Sequence, residues 1–188
     1  MKKTLLIASG VAMLLSGCAT MSSEQCMVAD WYRLGEQDAL AGRTADHLAN
    51  RAGACQDAGY AADTQAWYAG FESALPSFCT LDNGFQFGID GHRYQSTCPA
   101  PFSDEFLEGY RLGSEIYALE QSAFSTQRGM DRIRNQIERE LKKEQPDLDR
   151  VDDLQDDLAD VVTDLRSIEF ELGTIRGVAI GRGFNVPR

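Results

Sequence analysis

Residues 151–175, VDDLQDDLADVVTDLRSIEFELGTI, decide the fold. Val151, Leu154, Leu158, Val161, Leu165, Ile168, Leu172 and Ile175 are spaced alternately by three and four. That period keeps them on one stripe of an α-helix and is the pattern of a coiled-coil seam. Just upstream, Pro146 interrupts residues 142–149, KKEQPDLD, where Asp147 or Asp149 can cap a new helix. Earlier still, Phe106, Gly109, Gly113, Ile116, Leu119, Ala123, Thr126, Met130, Ile133 and Ile137 repeat the spacing. One beat is missed, between Ile116 and Leu119, and Ser103 can cap this helix. A turn of a few residues makes the two helices an antiparallel hairpin. With its centre near Pro146, Gly113 lies level with Ile180 and Gly181, and Gly109 with Phe184.

The charges suit that pairing. Arg128, Arg132, Arg134, Arg139, Lys142 and Lys143 lie on the first helix. Asp152, Asp153, Asp156, Asp157, Asp160 and Asp164 lie on the second. Complementary flanks favour pairing within the chain. The acidic run lacks the glycine turn and glutamate of an EF-hand, so a solvated face is expected rather than a calcium site.

Glycines mark a second pattern. Tyr-Arg-Leu-Gly occurs at 32–35 and at 110–113, each time in a helical context. A glycine in a helix costs about 1 kcal/mol, so it needs a packing or binding reason. Gly173, Gly177 and Gly181 follow at intervals of four. The register brings them level with Gly109 and Gly113, so close approach of the two helices at the hairpin base is expected.

Residues 24–102 form a head with a different grammar. One helix is expected from Ser23 to Leu40, with Trp31, Gly35, Asp38 and Gly42 on one face. A second is expected over 44–58. Asp63 can cap a third that buries Trp67, Phe71, Ala74 and Leu75 and ends at Pro76. Asn83-Gly84 reads as a turn, followed by a short helix carrying Phe85, Gly88, Gly91 and Tyr94. The fold class is therefore all-α: a small helical head, then a long antiparallel coiled-coil hairpin over 103–176 with its turn near 145–148. A glycine-rich segment, 177–188, completes the chain.

Cys26, Cys55, Cys79 and Cys98 all lie in the head, separated by 28, 23 and 18 residues. Zinc clusters favour close CxxC pairs, so two disulfides are expected in place of a metal site. Of three possible connectivities, the local pairs Cys26–Cys55 and Cys79–Cys98 are preferred. Disulfides imply an oxidising compartment.

The amino terminus agrees. Lys2 and Lys3, the apolar stretch 5–15 and Leu15-Ser16-Gly17-Cys18 have the anatomy of a lipoprotein signal peptide. Residues 1–17 would be removed, and Cys18 would be acylated at the head of a linker, 18–23. By resemblance to enterobacterial sorting rules, alanine at position 19 implies the outer membrane, and the protein is expected on its periplasmic face. The seven residues between Cys18 and Cys26 reach at most about 25 Å, which keeps the head near the bilayer. The net charge is −11, unfavourable for nucleic acid, whose phosphates need basic neutralisation.

Catalytic signatures do not emerge. The histidines, His47 and His92, sit in no HExxH, and no GxSxG or GK[ST] occurs. Neither enzymatic activity nor a cofactor is expected. Asp38 on the Trp31–Gly35–Gly42 face points inward and needs a partner, which Arg43, Arg51 or the N-terminus of a neighbouring helix can supply. Trp31, Asp38, Trp67, Tyr68 and Tyr94 form the candidate set for a polar tie in the core or a small-ligand site. A site of that kind would suit an envelope glycan.

The pattern Cys26-x3-Asp30-Trp31-x3-Gly35-x2-Asp38-x3-Gly42, then Cys55, Tyr68-x-Gly70, Cys79, Gly84-x3-Gly88-x2-Gly91-x2-Tyr94-x3-Cys98-Pro99, resembles an uncharacterised family of Gram-negative lipoproteins. That family is known as domain of unknown function 2799. The resemblance covers roughly residues 24–140 and implies the lipobox, the cysteine-bearing head and a helical segment after it. It implies no activity. Ala39 stands where the family pattern has a glycine beside Asp38. The functional expectation is a non-catalytic envelope module whose hairpin contacts another protein.

Overall fold

A computed structural model describes residues 21–187. Seven α-helices and no strands are present among them: α1 (Ser23–Met27), α2 (Trp31–Leu40), α3 (His47–Asp57), α4 (Thr64–Phe78), α5 (Leu81–Ile89), α6 (Ser103–Leu141) and α7 (Leu148–Gly181). The described residues are all-α, as their periodicities imply. The expected signal peptide and Cys18 lie outside the described residues.

Two helix crossings organise the head, and glycine makes both. In the first, α2 crosses α4. A methyl group on Gly35 would overlap the Trp67 carbonyl oxygen and stand 2.8 Å from the Phe71 nitrogen. One on Gly70 would overlap the Tyr32 carbonyl oxygen. In the second, α5 crosses the start of α6. There Gly84 meets the backbone of Phe106, Gly88 that of Tyr110 and Ser114, Gly109 that of Leu81 and Phe85, and Gly113 that of Phe85 and Ile89. Backbone therefore touches backbone at both sites.

The two crossings are versions of one another. Gly35 corresponds to Gly84 and Gly70 to Gly109, because each meets the carbonyl three residues before its partner glycine. Ala39 and Ala74, both buried, occupy the places of Gly88 and Gly113. Seven residues after Gly35 and Gly84, the first helix of each pair has just ended and the backbone turns left-handed, at Gly42 (φ 70°) and Gly91 (φ 73°). A side chain is disfavoured there. Each pair also has its own disulfide, Cys26–Cys55 and Cys79–Cys98, the expected local connectivity. The internal repeat is thus 35–42 with 84–91, rather than the Tyr-Arg-Leu-Gly echo, whose two copies lie on non-equivalent helices.

Several boundaries differ from expectation for identifiable reasons. The helix expected from Ser23 to Leu40 breaks because Asp30 is extended and caps α2, its carboxylate accepting from Arg33 N at 3.1 Å. Asn83 and Gly84 are helical, because Thr80 caps α5 one turn earlier. Pro76 does not end α4, which runs on to Phe78. So near the helix end it removes little of the hydrogen-bond ladder. Ser103 opens α6 without a side-chain cap, whereas Asp63 and Asp147 cap α4 and α7 as expected.

At about 1.5 Å per residue, the 39 residues of α6 extend about 58 Å. Its seam has two partners. Phe106, Gly109 and Gly113 serve the crossing with α5, whereas Leu112, Ile116 and Leu119 share a buried cluster with Leu172, Ile175 and Ala179 of α7. The missed beat falls at this change of neighbour. Cross-helix pairs Glu120–Arg176 (2.6 Å), Glu108–Arg182 and Glu140–Arg150 (3.5 Å) place α6 and α7 within about a turn of the expected register.

Two expectations about the hairpin fail. Gly173, Gly177 and Gly181 do not meet Gly109 and Gly113, which face α5. A methyl group on any of these three would meet nothing within 4 Å. They lie on the side of α7 turned away from Leu172 and Ala179, the buried stripe. The cross-helix ion pairs also run opposite to the expected polarity, joining α7 arginines to α6 glutamates. The six aspartates of the acidic run, Asp152 to Asp164, are exposed, as a solvated face requires. Arg128 instead lies over the Phe124 ring at 4.6 Å.

Glu140 fastens the turn and was not singled out by sequence. It is buried, accepts two bonds from Lys143 Nζ (2.8 and 2.7 Å) and one from Asp147 N (3.3 Å), and stands 3.5 Å from Arg150 Nε. The Lys143 bonds hold its carboxyl below the ordinary range, against the opposing pull of desolvation.

The glycines separate into two classes that urea titration distinguishes. Gly35→Ala forces the α2 and α4 backbones apart and is expected to destabilise by about 2 kcal/mol or more. Gly177→Ala gains helix propensity without a clash and is expected to stabilise by about 1 kcal/mol. Equal effects at the two positions would contradict this assignment.

Candidate functional site

Asp38 is the most enclosed acid of the head, 1% exposed on the inner face of α2. Arg51 of α3 donates Nε to Oδ2 at 2.6 Å and Nη2 to Oδ1 at 2.7 Å, a bidentate pair. Trp67 of α4 donates its indole N–H to Oδ2 at 3.1 Å. His47 Nε2 and Arg43 Nε lie 3.5 and 3.6 Å from Oδ1. One carboxylate therefore joins three helices. Arg51 engages both carboxylate oxygens and Trp67 one of them, the arrangement of a structural tie.

His47 takes a defined role beside it. Arg43 Nη1 stands 3.4 Å from His47 Nδ1, which leaves Nε2 to carry the proton toward Asp38. Burial holds the imidazole pKa below its ordinary value. Attraction from Asp38 opposes that shift but is smaller than it, and repulsion from Arg43 and Arg51 adds to the lowering.

The candidate residues do not assemble into one pocket. Trp31 and Trp67 are core residues, Trp67 stacking on Phe71 at 4.7 Å. Tyr94 packs on Phe106 and Tyr110, and its hydroxyl accepts from Cys98 N at 3.0 Å. Tyr68 is exposed and lines a groove of about 480 Å³ with Thr44, Glu72, Ser96 and Phe102. Only Asp38 and Trp67 of the set touch through polar atoms. Sequence reading missed Ser96, a non-glycine residue with positive φ (62°) beside that groove, and Thr97, whose hydroxyl donates to Gly42 O at 2.6 Å. Neither had a sequence signal. His92 is exposed, with its ring against Phe87. Among the described residues, no group of three or more His, Cys, Asp or Glu side chains is placed to hold a metal ion. No described helix is long and apolar enough to cross a membrane.

Residues 30–115 match the model of the family described as Protein of unknown function (DUF2799). The match agrees with the resemblance carried by the cysteine, tryptophan and glycine pattern. The match is narrower than the resemblance, starting at the Asp30 cap and ending just past Gly113. It thus spans both glycine crossings and omits the outer part of the hairpin. No curated protein and no solved structure matches the chain.

Removing the charge of Asp38 leaves Arg51 enclosed without its partner. Asp38→Asn is expected to cost about 3 kcal/mol and to raise amide exchange first in α3. Trp67→Phe, which deletes one neutral donor, is expected to cost about 1 kcal/mol. Because the folded-state pKa of His47 is depressed, the unfolded chain binds the proton more readily. Its contribution is fully present above about pH 6.5 and declines as pH falls through that value toward the folded pKa. His47→Gln should flatten that slope in urea titrations across pH 5–7.

Proposed function

We propose that this chain is a lipoprotein anchored through acylated Cys18 to the periplasmic face of the outer membrane, acting as a non-catalytic module that binds another envelope protein through its hairpin. The signal-peptide anatomy and Leu15-Ser16-Gly17-Cys18 support the anchor, and two disulfides suit an oxidising compartment. One observation carries the interaction reading. The outer side of α7 near the hairpin base exposes Phe170 (76%) and Ile180 (61%) around the uncovered glycines. A groove of about 560 Å³, bordered by Leu119, Phe170, Ile175 and Val178, adjoins them. Clustered exposed apolar side chains mark interaction surfaces in soluble domains. A glycine face admits an incoming helix closely, as the head's own crossings illustrate.

A glycan-binding reading retains support at the Tyr68 groove, where Tyr68 and Phe102 offer exposed rings beside Glu72 and Ser96.

Photo-crosslinking amino acids placed at Phe170, Val178 and Ile180 are expected to capture one protein in living cells. Sites at Asp156 and Asp157 should capture none. Absence of capture along the whole hairpin would defeat the interaction reading. Metabolic labelling with palmitate should tag the chain and be lost with Cys18→Ser.

A further inference from the structure

The position of Met21 narrows where the lipid can hold the head. Its side chain is buried, and its sulfur lies 3.8 Å from Cys55 Sγ, against the first disulfide. Free reach is therefore not counted from Cys26. Only Ala19 and Thr20 separate Met21 from Cys18, so their Cα atoms are at most about 11 Å apart. On the lipoprotein reading above, on which this inference rests, the membrane surface must come to the neighbourhood of Met21 itself.

That neighbourhood is open and exposes apolar side chains. Met27 and Val28, at the end of α1, are 60% and 80% exposed. Val28 borders a groove of about 290 Å³ in which Met21, Ala29 and Leu34 lie beside the polar side chains of Asp30, Arg33 and Arg51. The corner cannot fold inward to hide these side chains. The Cys26–Cys55 bridge and the Asp30 cap fix the backbone on either side of it. Arg33 is exposed and has no ion-pair partner among the described residues. The nearby acids are engaged locally, Glu24 with the Ser22 hydroxyl at 3.0 Å and Asp30 with Arg33 N.

We propose that this α1–α2 corner docks on the phospholipid bilayer surface. Met27 and Val28 enter the boundary between headgroups and acyl chains, and Arg33 faces the phosphates. The short tether selects this occupant, because it holds the corner against lipid at an effective concentration that a diffusing partner lacks. Two apolar side chains alone would bind weakly, so docking follows the anchor rather than replacing it. The head would then be held in one orientation, presenting the rest of its surface and the hairpin in a fixed direction.

The test uses the full acylated chain on vesicles of phosphatidylethanolamine and phosphatidylcholine with brominated acyl chains. A fluorescent amino acid replaces Val28 or, as a control, the exposed hairpin-tip residue Leu148. Flotation with the vesicles reports the anchor, and quenching by bromine reports docking. The expected result is a roughly twofold loss of emission at position 28, as for a group about 5–10 Å into the interface, and none at position 148. Met27→Asp should abolish the quenching while flotation persists. Flotation without quenching at position 28 overturns the docking and leaves the anchor standing. Failure to float overturns the anchor, and the docking with it.

Discussion

Direct contact between helix backbones is the constraint on which the rest of this structure depends. At both head crossings a carbonyl oxygen occupies the space that a Cβ would need. The helices can come that close only because glycine stands there. Each glycine weakens its own helix by about 1 kcal/mol. The offset comes from dense packing along the crossing and from Cα–H···O contacts that open once the backbones touch. Large side chains then close around the contact. Trp67 and Phe71 seal the first crossing, while Phe78, Phe106 and Phe85 seal the second. The disulfides pin the flanks of each pair, where helices are short and loops long.

Correspondence between the pairs explains Asp38. Its counterpart, three residues after the first glycine, is Phe87, and the counterpart of Trp67 is Phe106. In the second pair the two rings touch at 6.0 Å. In the first, a carboxylate accepts from an indole. The crossing itself therefore tolerates an apolar side chain at this position, and buried ion pairs are often replaceable by one. What differs is α3, which has no counterpart in the second pair. It is held to the head by Leu48, by the bridge at Cys55 and by Arg51 on Asp38. The carboxylate sits where a helix with little apolar surface must be attached, and a bidentate pair supplies direction as well as attraction.

Residue spacing made the hairpin legible. The alternation of threes and fours, Pro146 and the Asp147 cap located α6, the turn and α7, and the missed beat at Ile116 recorded a change of partner. The local disulfides and the burial of Trp67 and Asp38 could also be read. What could not be read was the direction each glycine faces. Gly113 and Gly177 share a spacing rule, yet one touches backbone and the other meets open space, because tertiary packing decides which side of a helix is covered. The repeated Tyr-Arg-Leu-Gly misled for the same reason, since identity of letters hid different places in the fold. Glu140 gave no sign, because its partners converge only when the turn closes.

The open glycines of α7 pose the sharpest question about function. At the crossings, each glycine is accompanied by a backbone that needs it. Gly173, Gly177 and Gly181 have no such neighbour, yet they carry the same propensity cost inside a 34-residue helix. Left-handed geometry does not explain them, because all three lie within the α-helix. Packing against α6 does not explain them either, because they face away from it. Phe170 and Ile180 flank them, large apolar side chains that folding leaves in water. Weak helix formers and exposed apolar groups on one face both run against the stability of the isolated chain. A close-packed neighbour would turn both features favourable at once, by the rule that the head's own crossings follow.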